Sequence, residues 1–268
     1  MSVPEHRTGI TLSGGAARGI THLGVLKALE EEGIRPDVIS GVSGGAILGA
    51  LYASGWDPED ILESFAEEKL FRNIQLSFPR KGFMSMNGLF DILEKYLKAR
   101  DFSELEIPLY VTSTDFKTGK QAVFHEGDLF HALKASSAIP ILFKPVEDEK
   151  GNVFVDGGLV SNLPVEPIEG MCQKLIGVNV NPIGEMDEFP NMFSVLERTL
   201  HLSIWANVQK NVEKCDLFIE PEGLRQYNIF NLSKVREIYS LGYNYTREFL
   251  EERTIDRLMA HQGKRRSI

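Results

Sequence analysis

Short apolar stretches alternate with stretches of helical periodicity along the first part of the chain. Residues 8–12, Thr-Gly-Ile-Thr-Leu, predict a short strand, and from residue 20 to residue 32 the apolar side chains recur at the spacing of a helix packed on a sheet. A short apolar run, rich in β-branched residues, ends at Ser40 and leads almost directly into an apolar stretch with helix-forming Ala and Leu. This β-α-β-α opening is typical of a mostly parallel sheet, so the pattern predicts an α/β protein.

The same periodicities predict further strands and helices in the rest of the chain. Strands are expected at residues 108–116, 121–125, 143–147, 153–155, 175–181 and 216–220. Helices are expected at residues 57–68, 88–98, 128–137, 191–215 and 231–261, the last with a break near Gly242. We find no internal repeat, low-complexity segment or linker, so one domain over residues 1–268 is the simplest organisation.

Composition and charge narrow the class of protein. Of the 268 residues, 43% are hydrophobic and 25% are charged, as is usual for a globular protein. The net charge of −9 argues against a nucleic-acid-binding surface, which needs a basic face. Cys172 and Cys215 lack metal-ligand spacing and fit free thiols in a reducing compartment. We see no signal peptide and no apolar run near the roughly 18 residues of a membrane span, so we expect a soluble, cytoplasmic protein.

One short motif marks a candidate nucleophile between the second predicted strand and the second predicted helix. Gly41, Ser43 and Gly45 form a Gly-x-Ser-x-Gly pattern. In such a nucleophile elbow a tight turn exposes the serine oxygen, and the flanking glycines avoid a steric clash. The pattern also arises by chance in a glycine-rich chain, and a turn that packs a helix closely on a sheet looks similar. The strand before it and the helix after it favour the catalytic interpretation of Ser43.

A second glycine-rich stretch, the glycine loop at residues 13–19, follows the first predicted strand. Gly14 and Gly19 have the spacing of a phosphate-binding P-loop, but Ile20 stands where the P-loop lysine belongs. The Gly-x-Gly-x-x-Gly of a dinucleotide-binding fold is absent as well. What remains is a loop of exposed amides at the start of a helix, with Arg18 adjacent. Such a loop is suited to hold a negatively charged oxygen.

A serine nucleophile needs a group that accepts its proton. None of the six histidines stands in the glycine-flanked or loop setting of a catalytic imidazole, so each, including His201, is interpreted as a satisfied or solvated side chain. Asp156 closes an apolar strand, and Gly157 and Gly158 leave its carboxylate unshielded. An Asp-Gly hairpin turn accounts for the same residues. The pattern alone leaves both interpretations of Asp156 open.

Together these stretches resemble four motifs of the patatin-like phospholipase family, in the expected order. The motifs are the loop at 14–19, the elbow at 41–45, the block Ala-Ser-Ser-Ala-Ile-Pro at 135–140 and the Asp-Gly-Gly at 156–158, which Asn162, Leu163 and Pro164 follow as expected. The resemblance implies a three-layer α/β/α fold with a mostly parallel central sheet. The motif core would span about residues 8–181 and a helical C-terminal part about residues 191–262. The resemblance implies no metal and no cofactor.

The resemblance also implies a role for each candidate residue. Ser43 would attack an ester carbonyl with Asp156 as general base, and this Ser-Asp dyad would explain why no catalytic histidine is found. The oxyanion hole would be formed by the backbone amides of Gly14, Gly15 and Ala16, helped by Arg18. The other motif residues would support this geometry: Gly41, Gly44, Gly45, Gly157 and Gly158.

The activity implied in this way is hydrolysis of carboxylic esters of lipids, most of all phospholipids or lysophospholipids. The alternatives are an esterase or acyltransferase with a soluble substrate, and a regulatory protein that keeps the fold without turnover. Residues 70–89 mix apolar and basic side chains; they are interpreted either as a lid or membrane-surface contact, or as a loop folded over the core. The expected partners are a lipid or acyl-ester substrate and, transiently, a membrane surface, but not nucleic acid. The oligomeric state is left open.

Overall fold

The computed structural model describes residues 4–67, 87–185, 190–227 and 232–265. The strands are β1 (His6–Leu12), β2 (Val38–Val42), β3 (Leu109–Asp115), β4 (Gln121–Phe124), β5 (Val146–Glu147), β6 (Val153–Asp156), β7 (Cys172–Val178) and β8 (Leu217–Ile219). The helices are α1 (Thr21–Glu31), α2 (Gly44–Ala53), α3 (Pro58–Glu67), α4 (Asn87–Tyr96), α5 (Leu129–Ser136), α6 (Met192–Val212) and α7 (Val235–Arg265). The alternation of strands and helices predicted from the sequence is confirmed.

The strands form one eight-stranded sheet in the order β5-β6-β3-β2-β1-β7-β8, with β4 also paired to β3. The adjacent strands β3, β2, β1, β7 and β8 are parallel to one another, whereas β4 and β6 run antiparallel to β3. Thr112 of β3 lies opposite Val42, and the next residue, Ser113, lies opposite Asp156. The register therefore places the segment that follows β2 and the end of β6 on either side of β3, at one edge of the sheet.

Helices cover both faces of this sheet. Because successive side chains of a strand point to opposite faces, Ile39 and Ile176 belong to a large core that also contains residues of α1 and α2. Their neighbours Val38 and Leu175 belong to a second core, which includes Val208 of α6. The fold is thus a three-layer α/β/α arrangement, as predicted. The single-domain organisation stays a prediction.

The C-terminal helix differs from its predicted form. No break occurs near Gly242, because α7 is continuous from residue 235 to residue 265. A Cβ on Gly242 would lie 2.5 Å from the carbonyl oxygen of Thr21, and a Cβ on Gly24 would collide with the carbonyl of Tyr239. The two glycines thus allow α1 and α7 to cross with their backbones in contact. Gly242 serves this close packing and does not interrupt the helix.

Two further predictions concern the periphery of the fold. Most of residues 70–89, interpreted above either as a lid or membrane-surface contact or as a loop folded over the core, lies outside the described residues. The last three residues of this segment, 87–89, begin α4. Both cysteines are free thiols, as predicted. Within the described ranges, no helix combines the length and the apolar character needed to cross a membrane.

Candidate active site

Ser43 lies on a tight turn between β2 and α2. Its backbone has φ 53° and ψ −125°, a conformation that residues other than glycine rarely adopt. At Gly45 a Cβ would collide with the carbonyl oxygens of Leu12 and Ser13 at the end of β1. The pattern Gly-x-Ser-x-Gly therefore produces the predicted elbow, and Ser43 lines a pocket at this edge of the sheet.

The side chain of Ser136, at the end of α5, holds this elbow. Its Oγ accepts a hydrogen bond from the backbone N–H of Ser43 at 2.8 Å and donates one to the carbonyl oxygen of Thr112 at 2.6 Å. The strained turn is thus tied both to α5 and to β3. The sequence analysis included Ser136 only as part of the motif block at residues 135–140, and no local pattern assigned it this contact.

Asp156 ends β6 with its side chain directed at Ser43. Its carboxylate interacts with the side chain of Ser43, which acts to lower the carboxyl pKa, and it accepts a hydrogen bond from the N–H of Gly158 at 2.8 Å. Only 7% of Asp156 is exposed. This burial raises the pKa of the carboxyl group from 3.8 to about 6, against the opposing effects of Ser43 and Gly158. The structure therefore brings the predicted nucleophile and the predicted base together.

The glycine loop passes beside Ser43. A Cβ on Gly14 would lie 3.2 Å from the Cβ of Ser43, and a Cβ on Gly15 would collide with the side chain of Val180. Glycine is thus needed at both positions for the backbone to come this close. Within the described residues, the amide N–H groups of Gly14, Gly15 and Ala16 donate to no other atom of the chain. They line the same pocket as Ser43 and are placed to bind an anionic oxygen there.

Arg18 and His22 occupy different positions relative to this loop. Arg18 lines the pocket, and its Nε donates a hydrogen bond of 2.8 Å to the carbonyl oxygen of Tyr227. His22 is fully buried, and burial lowers its pKa to about 4, so the ring is neutral at pH 7. Its Nε2 lies 2.8 Å from the carbonyl oxygen of Ser13 and donates to it. Arg18 therefore belongs to the candidate site, whereas His22 supports the loop.

The pocket walls are mainly apolar, with a few polar groups near Ser43. The apolar residues of the lining are Ile139, Pro140, Ile141, Leu142, Leu159, Leu200 and Ile204. Asn162, Asn181 and His201 add polar side chains. This combination of apolar walls and a small number of polar groups is common in sites that bind small apolar ligands.

His201 is a satisfied helix residue, as the sequence analysis expected, but it also belongs to the pocket, which was not expected. It lines the pocket, and its Nε2 lies 3.4 Å from the carbonyl oxygen of Asn181. Burial lowers its pKa, and the charges of Arg18 and Arg198 act in the same direction. The spacing of Leu200, His201 and Ile204 on one helix face was visible in the sequence, but nothing local showed that this face meets the pocket.

Among the described residues, no group of three or more His, Cys, Asp or Glu side chains is placed to hold a metal ion.

A serine on a strand-turn-helix elbow, a buried carboxylate in the same pocket and a glycine loop beside the serine are the features of a serine hydrolase site on an α/β fold. The sequence matches the patatin-like phospholipase family over residues 10–168, which is more than half of the chain. The chain belongs to this family.

Individual relatives extend the match beyond that region. Over 91% of its length, the chain is 29% identical to the lysophospholipase NTE1 of Kluyveromyces lactis and 28% identical to that of Saccharomyces cerevisiae. It spans only 19% and 16% of the lengths of these relatives. Among solved structures, VipD from Legionella pneumophila shares the fold, with a TM-score of 0.56 and 17% identity over 94% of this chain and 68% of that one.

Proposed function

We propose that this chain is a serine acyl hydrolase that cleaves carboxylic esters of lipids, with lysophospholipids as the favoured substrate class. The observation that carries the proposal is that Ser43 on its elbow and the buried Asp156 interact with each other in a pocket with apolar walls. Membership of the patatin-like phospholipase family supports this chemistry. The names of the two yeast relatives, both lysophospholipases, support the substrate class.

In the proposed reaction, Ser43 Oγ attacks the carbonyl carbon of the ester as its proton passes to Asp156. The carbonyl oxygen becomes an oxyanion, to which the glycine loop donates hydrogen bonds. When this tetrahedral intermediate collapses, the bond to the alcohol breaks, and the alcohol leaves with the proton from Asp156. Water then gives a proton to Asp156 and attacks the acyl-serine. The fatty acid is released, and Ser43 recovers its proton.

The oxyanion in this scheme is bound by the amides of Gly14, Gly15 and Ala16, with the positive charge of Arg18 close by. These amides line the pocket beside Ser43 and, within the described residues, have no competing acceptor in the chain. Pre-oriented donors of this kind stabilise the developing charge without reorganisation during the reaction.

A pKa of about 6 for Asp156 suits the proposed base. At neutral pH the group is mostly ionised and can accept the proton of Ser43. An ordinary aspartate, with a pKa near 3.8, would hold that proton about a hundredfold less well. General bases work best when their pKa lies near the working pH, so the burial of Asp156 supports its role.

The apolar walls of the pocket fit an acyl chain. Ile141 is the most exposed of them, at 62%, and it has a φ of 74°. A β-branched residue is rarely found in this conformation, and backbone strain of this kind clusters at ligand-binding sites. We propose that Ile141 contacts the acyl chain of the substrate.

The outer face of α6 supports a transient contact with a lipid surface. We use this name for Met192, Val195 and Leu202, which are exposed and lie on one side of the helix. The same helix contributes Leu200, His201 and Ile204 to the pocket wall. One helix would thus touch both the membrane and the substrate drawn from it. A cytoplasmic location stays a prediction.

Labelling with a fluorophosphonate tests the proposed nucleophile. We expect one adduct by intact-protein mass on the wild type and on Ser137→Ala, a neighbouring control, but none on Ser43→Ala. Turnover should be higher with lysophosphatidylcholine than with a short water-soluble ester. Preference for the soluble ester would favour the alternative of a soluble-substrate esterase. A folded wild type that neither reacts with the probe nor hydrolyses any ester would refute the proposal.

Vesicle sedimentation tests the proposed lipid contact. The double variant Val195→Ser, Leu202→Ser should bind phosphatidylcholine vesicles less than the wild type and yet hydrolyse a soluble ester at the wild-type rate. Val123→Ser is the matched control, because Val123 is an exposed apolar residue away from α6. Equal vesicle binding by both variants would argue against the outer face of α6 as the contact.

A further inference from the structure

The carbonyl oxygen of Gly14 is held by two buried asparagine side chains that the proposed chemistry does not use. Asn181 Nδ2 donates to it at 2.5 Å and Asn162 Nδ2 at 3.3 Å. The two asparagines are 4% and 2% exposed, respectively. A carbonyl oxygen can only accept, so both amide nitrogens must face it. Two buried donors on one backbone oxygen fix its direction more firmly than one would.

The direction of this carbonyl also sets the direction of the next amide. The C=O of Gly14 and the N–H of Gly15 belong to one planar, trans peptide and point in opposite directions. Neighbouring carbonyls of the loop are held as well, that of Ser13 by His22 and that of Gly15 by the N–H of Arg18 at 3.0 Å. Gly14 and Gly15 have no side chains and a wide range of backbone conformations. An external contact is thus needed to keep their amides in one orientation.

One of these asparagines, Asn162, also connects the glycine loop to the dyad. The backbone N–H of Asn162 donates to Asn207 Oδ1 at 2.8 Å, and Asn207 Nδ2 donates to the carbonyl oxygen of Gly158 at 2.9 Å. Gly158 in turn donates its N–H to Asp156. These contacts run from the glycine loop, through Asn207 of α6, to the carboxylate of Asp156. They hold the loop and the carboxylate in position relative to each other.

We propose that Asn162 and Asn181 are positioning residues of the oxyanion hole: they orient the Gly14–Gly15 peptide so that the Gly15 N–H meets the oxyanion formed at Ser43. The inference rests on the proposed acyl-hydrolase function. The two asparagines act through the peptide: among the described residues, their side chains donate to Gly14 and form no hydrogen bond with Ser43 or Asp156. Their loss should weaken binding of the transition state more than binding of the substrate.

The experiment compares Asn162→Ala, Asn181→Ala and the double variant with the wild type, using a soluble chromogenic ester. Asn211→Ala is the matched control: Asn211 is also buried, but it donates to Leu163 and Glu166, away from the loop. We expect kcat to fall about 10-fold in each single variant and about 100-fold in the double variant, as for a misdirected oxyanion donor. KM should change little, and Asn211→Ala should keep the wild-type kcat.

Two further readouts separate positioning from a general structural effect. The fall of kcat/KM at acidic pH reports the protonation of Asp156, and its midpoint should be the same in every variant. The inhibition constant of a trifluoromethyl ketone, which forms a tetrahedral adduct with an oxyanion, should rise in the same ratio as kcat/KM falls. Inhibition by a free fatty acid, which forms no such adduct, should not change. Urea unfolding of each variant checks that the protein is folded.

The outcomes also distinguish this inference from the function on which it rests. An active wild type whose asparagine variants match Asn211→Ala would overturn the positioning role and leave the hydrolase function intact. A shifted midpoint of the acidic fall in kcat/KM, or a kcat loss without weaker ketone binding, would also overturn it. An inert wild type would overturn both.

Discussion

The replacement of Asp156 by asparagine should strongly reduce activity and at the same time stabilise the protein at neutral pH. Asparagine has the size and shape of aspartate. Its Oδ1 can accept the hydrogen bond from the N–H of Gly158, and its Nδ2 can donate to Ser43 Oγ. The packing and the hydrogen bonds are therefore kept. The substitution removes only the buried carboxyl group, which becomes charged above a pH of about 6.

The sign and size of the effect follow from the pKa of Asp156, which rises from 3.8 to about 6 in the fold. Between these pH values the folded state binds a proton that the unfolded state has released, so stability falls as the pH rises from about 4 to about 6 and then stays lower. Since a tenfold change in proton affinity is about 1.36 kcal/mol, the penalty at pH 7.5 is about 3 kcal/mol. The variant Asp156→Asn does not have this penalty, because asparagine does not ionise.

Urea denaturation of wild type and Asp156→Asn at two pH values measures this difference. At pH 7.5 we expect the variant to be more stable by about 2–3 kcal/mol, and at pH 4.5 the gap should narrow to about 1 kcal/mol. Ester turnover should fall about 10²- to 10⁴-fold, as for loss of a general base.

Asp216→Asn is a control for which the expected change in stability at pH 7.5 has the opposite sign. A hydrogen bond from Lys174 lowers the pKa of Asp216, so its replacement should reduce stability at pH 7.5. Two results would contradict a buried carboxylate with a raised pKa at this position. One is that Asp156→Asn is no more stable than the wild type at pH 7.5, and the other is that the difference in stability between them does not narrow at pH 4.5.

Three other predictions test the site and its support. The kcat/KM of the wild type should decline below about pH 6 with a slope of one proton, because Asp156 must be ionised to act as the base; a flat profile from pH 5 to pH 8 would contradict this. Ser136→Ala should lower the free energy of unfolding by about 1–3 kcal/mol, since it leaves the buried N–H of Ser43 unpaired. Ser137→Ala should be nearly neutral in the same urea titration, because Ser137 Oγ has no partner among the described residues. Gly242→Ala should cost about 1–3 kcal/mol through its clash with α1, whereas the exposed Ser240→Ala should not; equal melting temperatures would refute the close crossing.

Much of the site was predictable because its parts are encoded locally. The elbow needs a strand, a serine between glycines and a helix in direct succession, and residues 38–53 contain all of these. The glycine loop is recognisable for a similar reason: its glycines must stand where the backbone approaches Ser43. Asp156 was ambiguous from its own segment, since Asp-Gly also makes turns, and only the order of several motifs favoured the catalytic interpretation.

The residues that the sequence analysis missed act across long separations. Asn181 reaches Gly14 over 167 residues, and Tyr227 accepts from Arg18 over 209 residues. Ser136 contacts Ser43 because α5 packs against β3. An asparagine after a strand or a serine at the end of a helix has common local explanations. The tertiary contact that gives each its role leaves no mark on periodicity or spacing.

These long contacts change how the chain should be divided. The family match ends at residue 168, and the dyad and the glycine loop lie inside it. Asn181, however, donates to the carbonyl oxygen of Gly14, and α6 supplies a pocket wall together with the Asn207 bridge to Gly158. A chain cut after the matched region would keep Ser43 and Asp156 but lose these contacts to the glycine loop and to Gly158. In physical terms, the C-terminal helical part builds the candidate site together with the motif core.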